Sequence, residues 1–276
     1  MVSLEYLLKF IDEDAPYGDV TSEAVIPDIS CRAVIRAEQD GVVAGLEEAG
    51  ALFSHFGVEV QEEILDGNAA RKGEILLSLS GPAKKILLVE RTALNIIGRM
   101  SGIATQTRAM AEIVRQKNPR CRIAGTRKTC PGLRILDKKA IALGGGDPHR
   151  TGLSDGVLIK DNHLALVSVS DAIARAKTAS VYRKIEIEVE STEGALSATR
   201  AGADIIILDN MTPEKIRATL AEIEAAGLRD RVSIELSGGI TADTIREYAR
   251  TGADLISLGA LTHTVRNFSV TLEILQ

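Results

Sequence analysis

The sequence contains no tryptophan, and tyrosine and phenylalanine bring its aromatic share to only 3%. Proteins that bind single-stranded nucleic acid stack the bases on aromatic side chains, so this composition disfavours that class. The formal net charge of -5 at pH 7 also makes the surface as a whole repel nucleic acid and anionic membranes. We therefore expect no nucleic-acid partner, and any site for an anion must be a local basic pocket.

Cysteine is scarce as well, because the chain has only Cys31, Cys121 and Cys130, without CxxC spacing. An odd number without paired spacing predicts neither a disulfide framework nor a zinc site. No apolar run approaches the length of a membrane span, and the first residues carry acids where a secretion signal carries bases. These features predict a cytoplasmic protein without a membrane partner.

The 276 residues fit one large domain or two modest ones. Patterns in the first hundred residues predict a helix over 3–12, a helix cap at Thr21, a strand from Cys31, a helix from Leu46 to Gly57, and strands in 58–64 and 74–81. Apolar residues then recur at helical spacing over 84–117. Because Gly98 and Gly102 interrupt that segment, we predict two successive helices there.

After Arg120 the pattern changes to six short β-branched segments that alternate with helical ones. Such alternation predicts a parallel sheet covered by helices, either a barrel or a doubly wound sheet. No GxGxxG motif follows any of these strands, which disfavours a dinucleotide-binding sheet. Residues suited to chemistry follow nearly every strand, as they do in α/β barrels, so we predict a barrel.

Basic residues concentrate between two of these strands, at Arg127, Lys128, Arg134, Lys138, Lys139, His149, Arg150 and Lys160. In an acidic chain this cluster points to an anionic small molecule, because the guanidinium group binds carboxylate and phosphate with two parallel hydrogen bonds. Arg127, Lys128 and Lys160 directly follow strands and are interpreted as functional. Lys138 and Lys139 are interpreted as a solvated helix face.

Glycine and hydroxyl residues follow the last two strands, in Ser237-Gly238-Gly239 and in GALTH from Gly259 to His263. Glycines at strand ends let backbone N–H groups approach a phosphate. Many α/β barrels bind phosphate at this place. The pattern predicts a phosphate site, and the alternative is a pair of tight turns.

Three acids, Glu186, Glu188 and Glu190, alternate along one strand and therefore point to one face. Those nearest the carboxyl end of the strand can reach the barrel mouth, where Asp209 ends the next strand. Paired carboxylates there suit Mg²⁺ or an oxocarbenium-like cation. A salt bridge to the basic cluster is the alternative.

Nine motifs in order resemble the quinolinate phosphoribosyltransferase family: ERTALN at Glu90, SGIAT at Ser101, TRKTCPGLR at Thr126, GGGDPHR at Gly144, LSDGVLIKDNH at Leu153, IEIEVE at Ile185, LDNM at Leu208, ELSGGI at Glu235 and GALTH at Gly259. The resemblance runs from YGDVTS near the start almost to the end. Two departures are Cys130, where threonine is expected, and Asp147-Pro148, which occupies a variable pair.

The resemblance implies two domains: an N-terminal α/β sandwich over 1–105, joined by the tail 266–276, and an incomplete, TIM-like α/β barrel over 106–265. It implies a homodimer whose active sites are shared between subunits, with Arg91 reaching into the partner's site. The implied reaction transfers phosphoribosyl from phosphoribosyl pyrophosphate (PRPP) to quinolinate with decarboxylation. Its products are nicotinate mononucleotide, CO₂ and pyrophosphate.

Site residues are implied by the same resemblance. The dicarboxylate and part of PRPP would be held by Arg127, Lys128, His149, Arg150 and Lys160. Glu188 and Asp209 would serve the ribose and Mg²⁺, with Glu188 preferred to Glu190. The 5′-phosphate site would comprise Ser237, Gly238, Gly239, Gly259, Ala260 and His263. The residues expected to be catalytic are Lys128, Lys160, Glu188 and Asp209.

Three alternatives stay open at this point. A paralogous phosphoribosyltransferase, such as the ModD-type proteins linked to molybdate transport, would act on another ring. A Schiff-base aldolase would use Lys160 as a desolvated nucleophile. A non-catalytic phosphate-binding protein would use the glycine loops but would have no use for acids in its pocket.

Overall fold

The computed structural model describes residues 2–275. In chain order its helices and strands are α1 (Leu4–Asp14), α2 (Val20–Val25), β1 (Ser30–Ala37), β2 (Gly41–Val42), α3 (Leu46–His55), β3 (Glu59–Glu62), β4 (Ala69–Ala70), β5 (Ile75–Pro82), α4 (Ala83–Arg115), β6 (Arg122–Ala124), α5 (Arg134–Leu143), β7 (Val157–Ile159), α6 (Asp161–Leu164), α7 (Val169–Ala179), β8 (Ile185–Val189), α8 (Thr192–Ala201), β9 (Ile205–Asp209), α9 (Pro213–Ala225), β10 (Ser233–Ser237), α10 (Ile245–Tyr248), β11 (Leu255–Ser257), α11 (Ala260–His263) and β12 (Val270–Leu275). No helix among them is long and apolar enough to cross a membrane.

The described residues form two compact units. The first comprises 2–108, 130–145 and 264–275, and the second comprises 109–129 and 146–263. The segment 130–145, which the sequence analysis placed with the barrel, thus groups with the first unit. One reason is a paired hydrogen bond, in which Arg99 donates to both Asp137 oxygens at 2.7 and 2.9 Å. Because Asp137 is fully buried, this pairing offsets the cost of removing its charge from water.

A four-stranded antiparallel sheet, in the order β12-β1-β5-β3, is the main sheet of the first unit. The predicted strands in 58–64 and 74–81 pair with each other as β3 and β5. The chain's last strand, β12, pairs with β1 along its length, so the tail belongs to this sheet. A buried apolar core that includes Phe53 and Ile97 supports the unit.

One continuous helix, α4, replaces the two helices predicted over 84–117. Its glycines serve close backbone packing: a Cβ on Gly102 would lie 2.2 Å from the Arg266 carbonyl oxygen, and one on Gly98 would lie 3.0 Å from that of Phe268. The Phe268 amide also donates to the Gly98 carbonyl at 2.8 Å. The prediction of a break was wrong because tertiary packing outweighs the cost of about 1 kcal/mol for a glycine in a helix.

The N-terminus of α2 is capped by Asp19, and the prediction that Thr21 is the cap was wrong. The Asp19 carboxylate accepts hydrogen bonds from the amides of Thr21 and Ser22, both at 3.0 Å. The Ser22 hydroxyl, which donates to the same carboxylate, lowers the pKa of Asp19 most, and the two amide hydrogen bonds lower it further. Both residue types are good caps, and the choice depends on where the first turn begins.

The interpretation of Lys138 and Lys139 as a solvated face was also wrong. Lys138 is only 5% exposed. The Lys139 ammonium contacts the carboxylate of Glu47 and lies 2.7 Å from that of the buried Glu48. These ion pairs fix α5 to α3 within the first unit, so Lys139 serves structure, and Lys138 is buried beside it.

The second unit is an incomplete α/β barrel. Its six strands are parallel and lie in the order β6-β11-β10-β9-β8-β7, which confirms the predicted strands. Among the described residues, the outer strands β6 and β7 do not pair with each other. Instead, Asp147 forms an isolated parallel bridge to Ala124 at the end of β6. From β7 to β11 each strand passes to the next through helices, as the alternating sequence pattern predicts, whereas the helix between β6 and β7 is α5 of the first unit.

Candidate active site

A cavity of about 390 Å³ lies at the carboxyl ends of the barrel strands. Parallel strands end at one edge of their sheet, so residues that follow different strands converge there. Lys160 follows β7, Glu188 lies near the end of β8, and Asp209 and Ser237 end β9 and β10. The lining residues are Gly125, Thr126, Arg127, Lys128, His149, Arg150, Leu158, Lys160, Glu188, Ile207, Asp209, Glu235, Ser237 and Ser257.

Four cationic side chains, Arg127, Lys128, Arg150 and Lys160, form what we call the basic wall of this cavity. Burial lowers the pKa of Arg150, and the nearby Arg127 guanidinium lowers it further. The Arg127 Nε is buried and has no hydrogen-bond partner within residues 2–275. An unpaired buried donor costs about 1–3 kcal/mol, so this wall is suited to an anion that would satisfy it.

The loop that supplies Arg127 and Lys128 to the basic wall is fixed at Lys128. Its amide donates to the Thr126 hydroxyl at 3.0 Å, and its carbonyl accepts from the Thr262 hydroxyl at 2.8 Å. A Cβ on Gly259 would lie 3.1 Å from both the Lys128 and the His263 side chains. Glycine after β11 therefore leaves room for Lys128 at the cavity.

Lys160 and Glu188 form an ion pair within the cavity. The Lys160 side chain is 44% exposed and that of Glu188 is 17% exposed. A Schiff-base lysine needs a desolvated amine, so this environment does not favour the aldolase alternative. The sequence left open a salt bridge between the strand acids and the basic cluster, and Glu188 forms one with Lys160. The basic wall has three further cations besides Lys160.

The acids near the ends of β8 and β9 differ in whether they line the cavity. Glu188 and Asp209 line the cavity, and Asn210 donates to the Asp209 carboxylate at 2.6 Å. Glu190 lies beyond the end of β8, is exposed, and offers its carbonyl to the Lys215 ammonium at 2.6 Å. Of the two candidates, only Glu188 lies among the residues described as lining this cavity.

The predicted phosphate loops follow β10 and β11. Gly238 and Gly239 have positive φ of 92° and 61°, and a Cβ on Gly238 would lie 2.2 Å from the Asn210 amide oxygen. Ser237 lines the cavity. Gly238 and Gly239 follow it in sequence, Gly259, Ala260 and His263 follow β11, and all five lie outside the described lining. Arg91 is an exposed residue of α4 in the first unit and is not part of the lining.

Sequence reasoning named Glu186 only as one of three acids on a strand face and gave no role to Glu235; the two are 5% and 1% exposed. His149 Nε2 lies 3.4 Å from a Glu186 oxygen and 3.3 Å from a Glu235 oxygen. The alternation of strand residues could have placed Glu235 on the face of Ser237, but its meeting with His149 is formed by elements that are distant in sequence.

Sequence reasoning also missed an extension of the basic wall. A second cavity of about 370 Å³ shares Arg127, Arg150 and Lys160 with the first and is also lined by His163 and Arg183. His163 accepts the Lys160 amide at its Nδ1 at 3.0 Å. Among the described residues, the lining of this second cavity includes no acid, so the positive potential continues outward from the basic wall.

Two family models match the chain. The N-terminal domain of quinolinate phosphoribosyl transferase matches residues 19–101, and the C-terminal domain matches residues 103–273. A relative from Methanothermobacter thermautotrophicus is 46% identical over 275 residues, covering 98% of both proteins. The nicotinate-nucleotide pyrophosphorylase (carboxylating) of Rattus norvegicus is 35% identical, over 96% of this chain and 89% of its own.

The solved structures agree with these matches. The crystal structure of nicotinate-nucleotide pyrophosphorylase from Ehrlichia chaffeensis is similar over 99% of each chain, with a TM-score of 0.92 and 32% sequence identity. Both units of the chain are therefore included in the similarity.

Proposed function

Because the chain belongs to the quinolinate phosphoribosyl transferase family, we propose that it transfers phosphoribosyl from PRPP to quinolinate with loss of CO₂. The observation that carries this function is one cavity in which the basic wall lies beside the carboxylates of Glu188 and Asp209. The cations suit a dicarboxylate and a pyrophosphate, and the acids suit a ribose that gains positive charge. The products are nicotinate mononucleotide, CO₂ and pyrophosphate.

The first step exchanges one bond at ribose C1. The bond from C1 to pyrophosphate breaks, its electron pair leaves with the pyrophosphate, and the pyridine nitrogen forms the new bond to C1. Positive charge develops on the ribose as the bond loosens, and the Glu188 carboxylate is placed to stabilise it. Lys128 and Lys160 offset the charge of the leaving group.

The second step removes the carboxylate next to the ring nitrogen. Once that nitrogen is bonded to ribose it carries positive charge, so it stabilises the electron pair that stays on the ring carbon when CO₂ departs. A proton then adds to this carbon. Arg127 and Arg150 hold the substrate through its carboxylates, and no nucleophilic side chain is needed.

Mg²⁺ fits the donor set at the mouth. Glu188 and Asp209 line the cavity with hard oxygen ligands from neighbouring strands, and Mg²⁺ commonly takes one or two carboxylates together with substrate phosphates. We assign these two residues to the ion. Bound there, it would neutralise the pyrophosphate as it leaves.

The 5′-phosphate of the ribose is assigned to the loops after the last two strands. Ser237 contributes a hydroxyl at the cavity, and Gly238 and Gly239 turn the backbone away from β10 in left-handed conformations. Gly259, Ala260 and His263 belong to the next loop and α11. Amides at such turns bind phosphate oxygens in many α/β barrels.

We further propose a homodimer in which Arg91 of one subunit enters the site of the other. The support is that Arg91 is an exposed arginine in the ERTALN motif, although it does not line the cavity of its own chain. A cytoplasmic location is also proposed, and the three free cysteines agree with a reducing compartment.

Product analysis tests the reaction as a whole. Incubation with Mg²⁺, PRPP and quinolinate is expected to give nicotinate mononucleotide and CO₂ in equal amounts, with no product when Mg²⁺ is chelated. Nucleotide formed without CO₂ would contradict the decarboxylation step. Product formed at an undiminished rate in a chelator would contradict the assignment of Glu188 and Asp209 to a metal ion.

A further inference from the structure

His149 lies between two buried carboxylates that the proposed mechanism does not use. Glu186 on β8 and Glu235 on β10 are buried, and His149 Nε2 lies 3.4 and 3.3 Å from their oxygens. Among the described residues Glu186 Oε1 has no hydrogen-bond partner, so its attraction to the ring is electrostatic. Burying two carboxylates costs free energy, so two buried acids beside one histidine nitrogen indicate a role in the active site.

The other side of the ring contacts the backbone of the next residue. The Arg150 amide donates to His149 Nδ1 at 2.8 Å, and the His149 amide donates to the Asp147 carboxylate at 2.8 Å. His149 also has a positive φ of 58°, which is strained for a non-glycine residue. The imidazole is thus held at both nitrogens, and it fixes the backbone from which the Arg150 side chain extends.

The protonation of this group follows from the same contacts. Burial alone would lower the pKa of His149, but the close contacts and charges of the Glu186 and Glu235 carboxylates outweigh it and raise that pKa. Because Nδ1 accepts the Arg150 amide, the ring's own proton lies at Nε2, where it faces the two carboxylates.

The carboxylates also balance the charge of the basic wall. Burial and the neighbouring Arg127 both disfavour the charged form of Arg150, while Glu186 favours it. Two guanidinium groups beside one cavity repel each other unless a counter-charge lies near them. The buried Glu186 carboxylate supplies that negative charge to Arg150.

We propose that Glu235 and Glu186 are positioning residues for the basic wall. They hold His149 at Nε2, and His149 holds the Arg150 backbone at Nδ1, so that the Arg150 guanidinium faces the substrate carboxylate. The inference rests on the proposed function in taking Arg150 as a ligand of quinolinate. Glu186 is not among the described lining of the cavity, and Glu235 reaches the lining but is only 1% exposed, so we assign neither to the substrate or to the reacting atoms.

The test replaces Glu235 by glutamine, which keeps the size of the side chain and removes its charge. The dissociation constant of quinolinate, measured by calorimetry without PRPP, is expected to rise about tenfold, equivalent to 1.4 kcal/mol. The KM for PRPP is expected to stay within about twofold, because the phosphate loops do not involve His149. Glu48→Gln is the matched control: Glu48 is also a buried carboxylate, lies in the first unit, and is expected to leave the quinolinate affinity unchanged.

A double-mutant cycle separates positioning from a general loss of stability. Asparagine tolerates positive φ, so His149→Asn removes the ring while keeping the backbone conformation. In that background Glu235→Gln is expected to change the quinolinate affinity by less than about twofold, because its route to Arg150 is gone. Fully additive effects, or unchanged quinolinate affinity in folded Glu235→Gln, would overturn the proposal.

A measurement made without substrate distinguishes the positioning role of Glu235 from the proposed function. The chain has four histidines, so the ¹⁵N resonances of His149 can be assigned by their loss in His149→Asn. Glu235→Gln is expected to shift the Nε2 resonance, and an unshifted resonance would overturn the positioning role. Failure of the wild-type protein to bind quinolinate would instead refute the proposed function.

Discussion

Replacing Lys160 by alanine is expected to lower kcat/KM for quinolinate by about 100-fold. Lys160 follows β7 directly, pairs with Glu188, and belongs to both cavities that share the basic wall. Its loss removes a charged hydrogen-bond donor for the dianion, worth about 1.5–3 kcal/mol, and leaves the Glu188 carboxylate without its cation. Stabilisation of the departing pyrophosphate would be lost as well. Steady-state rates with quinolinate varied at saturating PRPP measure the effect.

Lys177→Ala is the matched control for this variant. Lys177 is an exposed lysine of the same unit whose ammonium donates to the Ala201 carbonyl at 2.8 Å, outside the cavity lining. Its removal is expected to change kcat/KM by less than about twofold. A Lys160→Ala enzyme with near-normal kcat/KM would remove Lys160 from the site.

Mixed dimers are expected to recover activity that neither parent variant has. If Arg91 completes the partner's site, a dimer of one Arg91→Ala subunit and one Lys160→Ala subunit contains one intact site and one doubly damaged site. Dimers purified through two different tags should therefore show about half of the wild-type rate per dimer. Each parent homodimer should be almost inactive.

The control for this complementation pairs two variants of the same barrel. A dimer of Lys160→Ala with Glu188→Gln has one lesion in each barrel, so neither site is intact and no recovery is expected. Mixed dimers of the first pair that stay inactive would contradict the shared site. Equal recovery in both pairs would show that the recovery does not come from Arg91 of the partner subunit.

The barrel could be predicted from the sequence because its strands and helices alternate over short stretches of the chain. Each β-branched run is followed by a helical segment, and the next strand begins soon after, so order and direction follow from the pattern. The α4 helix could not be predicted in the same way. Whether Gly98 and Gly102 break a helix or admit a neighbouring backbone depends on Arg266 and Phe268, which lie far along the chain.

Much of the candidate site could also be predicted, since residues after parallel strands converge. Arg127, Lys160 and Asp209 line one cavity for that reason. The surroundings of His149 could not be predicted, because three separate elements supply His149, Glu186 and Glu235. Lys139 shows the opposite error, since its basic character suggested solvent while its partners Glu47 and Glu48 lie on another helix.

The most direct test of the central claim, that the basic wall recognises two carboxylates on one ring, is the ratio of kcat/KM for quinolinate to that for nicotinate. Nicotinate lacks the carboxylate next to the ring nitrogen, so we expect it to leave part of the basic wall unpaired, as the buried Arg127 Nε is in the protein alone. With Mg²⁺ and PRPP held constant, we predict a ratio above about 1000 in favour of quinolinate. Turnover of nicotinate as efficient as that of quinolinate, or more so, would contradict the account.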